Sequence, residues 1–421
     1  MKTAFYFDSK ELSRSWSLNI SNQALSGTDG TLLQIYVGLL ARDEDVHLLC
    51  TSEPDVRSGT VHLVGSLLDA YDFCTSNDFD FLVFIAVPSR HQEDLFRRAR
   101  TDKKVRLIAW AQCTPSFEWL NSACECDSFY KLVAVSNIQR NSWAYHPAYA
   151  KTFVIFNFVE DLLLDYGEPK HLSVEPTITY VGALRPSKGF QHVAKAWGSI
   201  RERMPSAVLN VCGSPGLYSS SLELGEFGIA EAEFEREILS HLGLSREGAA
   251  ARGVSFLGSV PKKELYGLMN RSHLVIVNPN TVTNGGSTET FCVSAAEAMA
   301  VGTPVVGAYA DGLIEIVGNN IGGMLTQRQD ELIQAVVTLL QQEKLREALG
   351  EKARKRANSL FNKSGAVNRW LLLLNNKSNA AGEAVSNVNT RLPKFYLFTV
   401  VRLFPLRFTK ALKRTKRMIG W

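Results

Sequence analysis

Short, continuous apolar runs alternate with longer stretches of helical periodicity along most of this chain. Residues 3–7, 46–50, 81–87, 105–110, 131–135 and 152–155 are runs of strand length with almost no polar interruption. Such runs suit strands buried on both faces. Residues 27–30, bounded by Gly27 and Gly30, read as a loop, and residues 31–42 have helical spacing. Strands of this kind separated by helices predict a parallel, doubly wound α/β sheet. The pattern pauses near residue 173 and restarts, with strands at 177–181, 208–212, 254–257, 274–277 and 304–307 and a helix at 189–204. Two α/β halves in tandem follow, with parallel sheets facing across a cleft. Ligands of such sheets bind beyond the carboxyl ends of the strands.

This organisation divides the chain into 1–172, 173–360, a helical segment at 361–375 that is Leu-rich and holds Trp370, a polar linker at 376–390, and a tail at 391–421. Length agrees with more than one domain, and a 45% apolar composition excludes a disordered or collagenous protein. No run approaches the ~20 apolar residues of a membrane span. The start of the chain shows no secretory signal, and seven Cys, an odd number, read as free thiols in a reducing compartment. Cys113, Cys124 and Cys126 lack further ligands at metal-binding spacing, so no metal is expected. Asp78 and Asp80 form a D-x-D that reads as a solvated loop before a strand.

Charge is unevenly placed. The total is +4, but residues 384–421 carry nine basic and no acidic side chains. Removing those nine from 46 basic residues leaves 37 against 42 acidic, a body of −5. A body of that sign is not expected to bind nucleic acid. In the tail, Phe408, Ala411, Leu412 and Thr415 follow helical spacing with Arg407, Lys410, Lys413, Arg414 and Arg417 mostly elsewhere. A basic amphipathic segment suits an anionic membrane surface, with a packed extension and a nucleic-acid arm as the competing readings.

Two blocks carry chemistry. In residues 288–306, Glu289 and Glu297 bracket the expected start of a helix near Cys292 or Val293. Unpaired N–H groups at a helix start, reinforced by the dipole, bind anions such as a diphosphate. Carboxylates on either side of such a site suit sugar hydroxyls rather than phosphate. Two ordinary surface glutamates would be the simpler reading, but Glu297 lies among Val293, Ala295, Ala296, Ala298, Met299 and Ala300. In residues 179–189, a strand runs into Gly182, and Arg185 and Lys188 project from the following loop. Alone, that pair of cations is usually a solvated loop. Beside an anion site it can neutralise a departing diphosphate.

Together the blocks resemble the family 4 retaining glycosyltransferases, which have two Rossmann-like domains in the GT-B architecture. The resemblance rests on Val181–Gly189, on Val254–Val260, on Glu289 with Glu297 and the Ala298–Val306 segment, and on Asp311–Val317 followed by Gly322–Leu325. In the first half it rests on Val133–Asn137 and Val154–Asn157. The resemblance implies that Arg185 and Lys188 hold the donor diphosphate and that Glu289 meets the transferred sugar. It implies that Glu297 meets the ribose, and that the N–H groups of Phe291, Cys292 and Val293 meet the distal phosphate. Gly182, Gly213, Gly258, Ser259 and Val260 would line the donor pocket, with Gly27 and Gly30 approaching from the first half. No cofactor is implied beyond the nucleotide-sugar co-substrate. The partners implied are that donor and a glycan or lipid-linked acceptor, with no nucleic acid. Two departures stand out. Cys292 occupies a position where the family commonly has Gly; its N–H remains useful if φ stays negative. Where a His often faces the acceptor, this chain has Gln112, which cannot take a proton, and His91 is the nearby substitute. An epimerase on the same architecture and an inactive sugar-nucleotide-binding scaffold are the alternatives.

Overall fold

The computed structural model describes residues 1–10, 16–18, 27–55, 59–160, 163, 172–213, 223–280 and 289–375. The linker at 376–390 and the tail at 391–421 lie outside the described residues. So does nearly all of the segment 161–171, which precedes the restart.

The first sheet contains β1 (Thr3–Phe7), β2 (Val46–Cys50), β3 (Val61–Leu63), β4 (Phe81–Ile85), β5 (Arg106–Ala111), β6 (Phe129–Ala134) and β7 (Thr152–Val154). Its order is β3-β2-β1-β4-β5-β6-β7, and every pairing is parallel. The second contains β8 (Thr177–Val181), β9 (Val208–Cys212), β10 (Val254–Gly258), β11 (Leu274–Ile276), β12 (Val305–Ala308) and β13 (Gly323–Thr326), ordered β10-β9-β8-β11-β12-β13 and again parallel throughout. Both sheets grow outward through three strands and then resume on the other side of the first, so the order reverses between β1 and β4 and between β8 and β11. Loops leaving those adjacent strands diverge to opposite faces and open a crevice.

The apolar runs do become central strands: Leu82, Val83 and Phe84 in β4 and Leu274 and Val275 in β11 are fully buried. Helices cover the faces by the spacing of their apolar residues. In Phe190–Arg203, Phe190, Val193, Ala194, Trp197 and Ile200 form one buried stripe. The two halves are joined again at the end of the described chain. The helix Glu343–Leu360 stops at Phe361, whose carbonyl accepts from the Val159 N–H at 2.9 Å. The helix Lys363–Leu374 then packs on the first half. Its Trp370 ring lies edge-on to Trp110 and Phe5 at 4.9 and 5.7 Å, and its Val367 methyl sits 2.6 Å from where a Cβ on Gly38 would be.

Several expectations from sequence are corrected. Residues 27–30 are not a loop but the first turn of the helix Gly27–Leu40. Two glycines lower helix propensity, but the Thr31 hydroxyl donates to the Gly27 carbonyl at 2.6 Å, and Asp29 sits favourably at the positive end of the dipole. The expected helix at 361–375 begins only at Lys363, where the Asn362 side chain accepts the Gly365 N–H at 2.6 Å and so caps a new start. Strands β3 and β13 went unrecognised: one is a short, partly exposed edge, and the other opens on a glycine. Asp80 is half-buried rather than solvated, and its carboxylate accepts the Lys2 N–H at 3.0 Å.

Candidate active site

The second half builds a rim of glycines at the carboxyl ends of β8, β9 and β10. The Gly182 N–H donates to the Cys212 carbonyl at 3.1 Å, and the Gly213 N–H donates to the Gly258 carbonyl at 2.8 Å. Gly213 has φ +154, and a Cβ there would run into the Gly182 carbonyl oxygen. Beyond β10, Ser259 is exposed and Val260 half-buried.

After Gly182 the chain forms one tight turn, Pro186–Lys188, ended by Gly189 at φ +78. Gly189 is required there, because a Cβ would come within 2.7 Å of the Asn280 backbone nitrogen. The Tyr180 hydroxyl donates to the Lys188 carbonyl at 3.0 Å, and the Asn280 amide donates to the carbonyls of Pro186 and Ser187, each at 3.3 Å. This bracing holds Arg185 and Lys188 at the crevice, both half-buried. Lys188 Nζ lies 2.8 Å from Glu289 Oε2, which also accepts from the Asn278 amide at 3.1 Å.

Glu289 precedes the helix Val293–Ala300, and Glu297 lies one turn inside it. Cys292 caps the helix with φ −84, within the negative range that the sequence reading asked of it. The N–H groups of Phe291, Cys292 and Val293 donate to no described residue. Glu297 is 95% buried, and its Oε1 accepts from Lys262 Nζ at 3.3 Å and from the Tyr266 hydroxyl at 3.2 Å. Lys262 also reaches Glu160 at 3.4 Å. In each glutamate the described hydrogen bonds fall on one carboxylate oxygen: Oε2 of Glu289 and Oε1 of Glu297.

Burial sets the titration of this region. It raises the Glu297 pKa above the usual carboxylate value, with Lys262 pulling the other way. Burial and the nearby Glu289 charge raise Asp311 and push the Cys292 thiol up to about 12. Burial also opposes the Lys262 charge, yet Glu297 and Glu160 carry its pKa upward. Among the described residues, no group of three or more His, Cys, Asp or Glu is placed to hold a metal ion.

Apart from Glu160, the first half meets this site through neutral groups. The Thr290 hydroxyl donates to the Gln112 carbonyl at 2.6 Å, and the Ser136 hydroxyl donates to the Thr290 carbonyl at 2.8 Å. Glu315 accepts from the Asn137 amide at 2.6 Å and from the Ile138 N–H at 3.0 Å. The Gln112 side chain is buried and engaged with Asn157 in a reciprocal amide pair, at 2.8 and 3.2 Å. His91 is exposed on the first turn of the helix Arg90–Arg98. Thus Arg185, Lys188, Glu289, Phe291, Cys292, Val293 and Glu297 share the β8–β11 crevice, and Gln112 reaches its border through its backbone. Gly27 and Gly30 open the first helix, and none of the contacts described joins His91 to the cluster.

Sequence reading missed Asn278, Asn280, Thr290, Lys262, Tyr266 and Glu160. Asn278 had one available signal, its place directly after the buried 274–277 run. The others depend on contacts between remote segments.

Comparison with known proteins agrees with this architecture. Residues 168–356 match the model of the family described as glycosyl transferases group 1. The D-inositol 3-phosphate glycosyltransferase of Corynebacterium efficiens is 30% identical over 193 residues, covering 45% of this chain and 39% of that protein. The Corynebacterium jeikeium enzyme of the same name is 32% identical over 180 residues, covering 42% and 38%. The chain therefore spans well under half the length of these curated relatives. Sucrose-phosphate synthase from Thermosynechococcus elongatus superposes with a TM-score of 0.67 at 15% identity, over 90% of this chain and 100% of that one. Anabaena Alr3699/HepE in complex with UDP gives 0.62 at 19% identity, over 89% and 100%. The second half of the chain, residues 168–356, belongs to the glycosyl transferases group 1, and the chain as a whole has the two-domain GT-B fold.

Proposed function

We propose that this protein is a retaining glycosyltransferase. It moves a sugar from a nucleotide-diphosphate sugar to a glycan or lipid-linked saccharide acceptor, in the synthesis of a cell-surface polysaccharide. The observation that carries this reading is Lys188 paired to one oxygen of Glu289 immediately before a helix start whose N–H groups donate to no described residue. A diphosphate at that helix start would take its N–H groups and the Arg185 and Lys188 cations. The other Glu289 oxygen would accept a hydroxyl of the sugar, and Glu297 a ribose hydroxyl. UDP is the nucleotide favoured, because the Anabaena neighbour is a complex with UDP.

Gln112 is not a base, and its amide is already engaged with Asn157. The step that suits this site is therefore a front-face transfer. The acceptor oxygen bonds to the anomeric carbon, and the bond from that carbon to the phosphate oxygen breaks with its electron pair going to the phosphate. The acceptor proton passes to that same phosphate oxygen. Charge developing on the diphosphate is what the protein must stabilise. Lys188→Ala and Glu289→Gln should each lower sugar transfer from a UDP-sugar by roughly 10²–10³-fold while circular dichroism stays native. Full activity in either variant would sink the assignment.

The acceptor side is read as lying near the inner face of the plasma membrane, with the +9 tail as an anionic-lipid anchor at roughly 1 kcal/mol per basic residue. No described helix is long and apolar enough to cross a membrane. Co-sedimentation with phosphatidylglycerol-containing liposomes should drop sharply when residues 391–421 are removed. Equal binding by both forms removes the membrane claim and leaves the enzyme assignment standing.

A further inference from the structure

Glu297 poses a physical problem. A carboxylate this deeply buried in a helix of alanines loses its hydration and should protonate unless a cation holds it. Yet the use proposed for it, accepting a hydroxyl hydrogen bond, is served best by the ionised form. The cation is Lys262, on the first turn of the helix Lys262–Arg271, and the Tyr266 hydroxyl one turn further adds a second donor. Both donors meet Oε1. Oε2 carries no hydrogen bond to a described residue, so the carboxylate is oriented with one oxygen held and the other available.

Lys262 is also shared. Its second carboxylate, Glu160, follows Val159 in the segment that leaves the first half after β7. That segment is itself pinned, because Val159 bonds to Phe361 where the chain returns to the first half. One ammonium thus links the buried carboxylate to the crossing between the two halves.

We propose that Lys262 is a positioning residue for donor binding: it holds Glu297 as a charged, correctly oriented acceptor for the nucleotide ribose, and Glu160 competes for the same ammonium. This role rests on the nucleotide-sugar reading of the site. The groups acting on Glu297 are Lys262, Glu160 and Tyr266. Burial raises its pKa, Lys262 and Tyr266 lower it, and Glu160 raises it. The sign of the pH dependence follows. Acceptance by the carboxylate is present above the Glu297 pKa and is lost as pH falls through it. Removing Lys262 moves that loss to higher pH, and neutralising Glu160 moves it to lower pH. A side chain with a merely structural role would not produce opposite shifts.

The test is calorimetric titration of the full chain with UDP from about pH 5 to about pH 9, the range around the carboxylate and His values. Wild type, Lys262→Met, Lys262→Arg and Glu160→Gln are compared, with circular dichroism as the check on folding. Lys262→Met should weaken UDP binding roughly tenfold at neutral pH and recover part of it at alkaline pH, by the loss of a close opposite charge. Lys262→Arg should restore most of the wild-type profile, and Glu160→Gln should shift the acid limb downward. If Lys262→Met does not fold, Glu160→Gln decides: a downward shift supports the role, and no shift or an upward one overturns it. Identical profiles for folded Lys262→Met and wild type also overturn it. Failure of wild type to bind UDP, GDP or ADP at any pH would instead remove the nucleotide-sugar reading, and this role with it.

Discussion

The carboxyl ends of the two sheets are finished in opposite ways. In the first half, three buried glutamines close the strand ends. Gln92 accepts the Val87 N–H and donates to the Ile85 carbonyl, Gln139 accepts the Val135 N–H and donates to the Ala111 carbonyl, and Gln112 pairs with Asn157. These groups are neutral and internally satisfied. The second half uses glycines with positive φ and two Lys–Glu pairs. Its carboxylates keep an oxygen without a described partner, and the N–H groups at its helix start donate to no described residue. Neutral, satisfied glutamines have no charge to offer a diphosphate; a glycine rim with cations does. On the proposed reading, the charged donor falls to the second half, and the first half contributes mainly shape and backbone contacts.

Breaking the glycine rim gives the larger effect. Gly213→Ala places a methyl against the Gly182 carbonyl, in a backbone region that strains any L residue. The backbone strain is about 1–3 kcal/mol, and relief of the clash would separate β9 from β8 at the rim. We expect a total loss of about 3 kcal/mol or more in thermal unfolding together with loss of UDP binding. Gly258→Ala is the control on the same rim. It has φ +67 but open space around its Cβ, so it should cost only about 1–2 kcal/mol and leave UDP binding measurable. Equal effects of the two substitutions would show that conformation alone, and not the close approach of β8 and β9, shapes the rim.

Legibility in the sequence follows the same division. Buried parallel strands announce themselves as continuous apolar runs, so the tandem halves could be read directly, and only the short edge β3 and the glycine-led β13 escaped. Glu289, Glu297, Arg185 and Lys188 stood out because local spacing put charged residues beside strand ends and an apolar helix. Lys262 could not stand out. In Pro261-Lys-Lys-Glu-Leu265 it looks like any solvated helix start, and its partners lie 35 and 102 residues away. The glutamine rim is invisible for a related reason. A buried glutamine has no sequence signature, since its value lies in which backbone groups it happens to meet. The exposed His91 is a different case: residue type suggested chemistry, and none of the contacts among the described residues joins it to the Lys188–Glu289 cluster.

A smaller test bears on the neutral rim. Gln112 and Asn157 satisfy one another and sit almost without solvent, so removing one leaves the other with an unpaired buried amide. Gln112→Leu or Asn157→Leu should each cost about 1–3 kcal/mol. The double variant should cost less than the sum of the two, because no polar group is then stranded. Activity should separate from stability here. Thr290, next to Glu289, contacts the Gln112 backbone carbonyl rather than its amide, so at a temperature where Gln112→Leu is folded its transfer rate should stay within about threefold of wild type, the scatter expected of a residue outside the reacting groups. A loss near that of Glu289→Gln, with native stability, would mean that the Gln112 amide turns toward the acceptor during turnover. The first rim would then share in the chemistry, and the assignment of charge handling to one half and shape to the other would no longer hold.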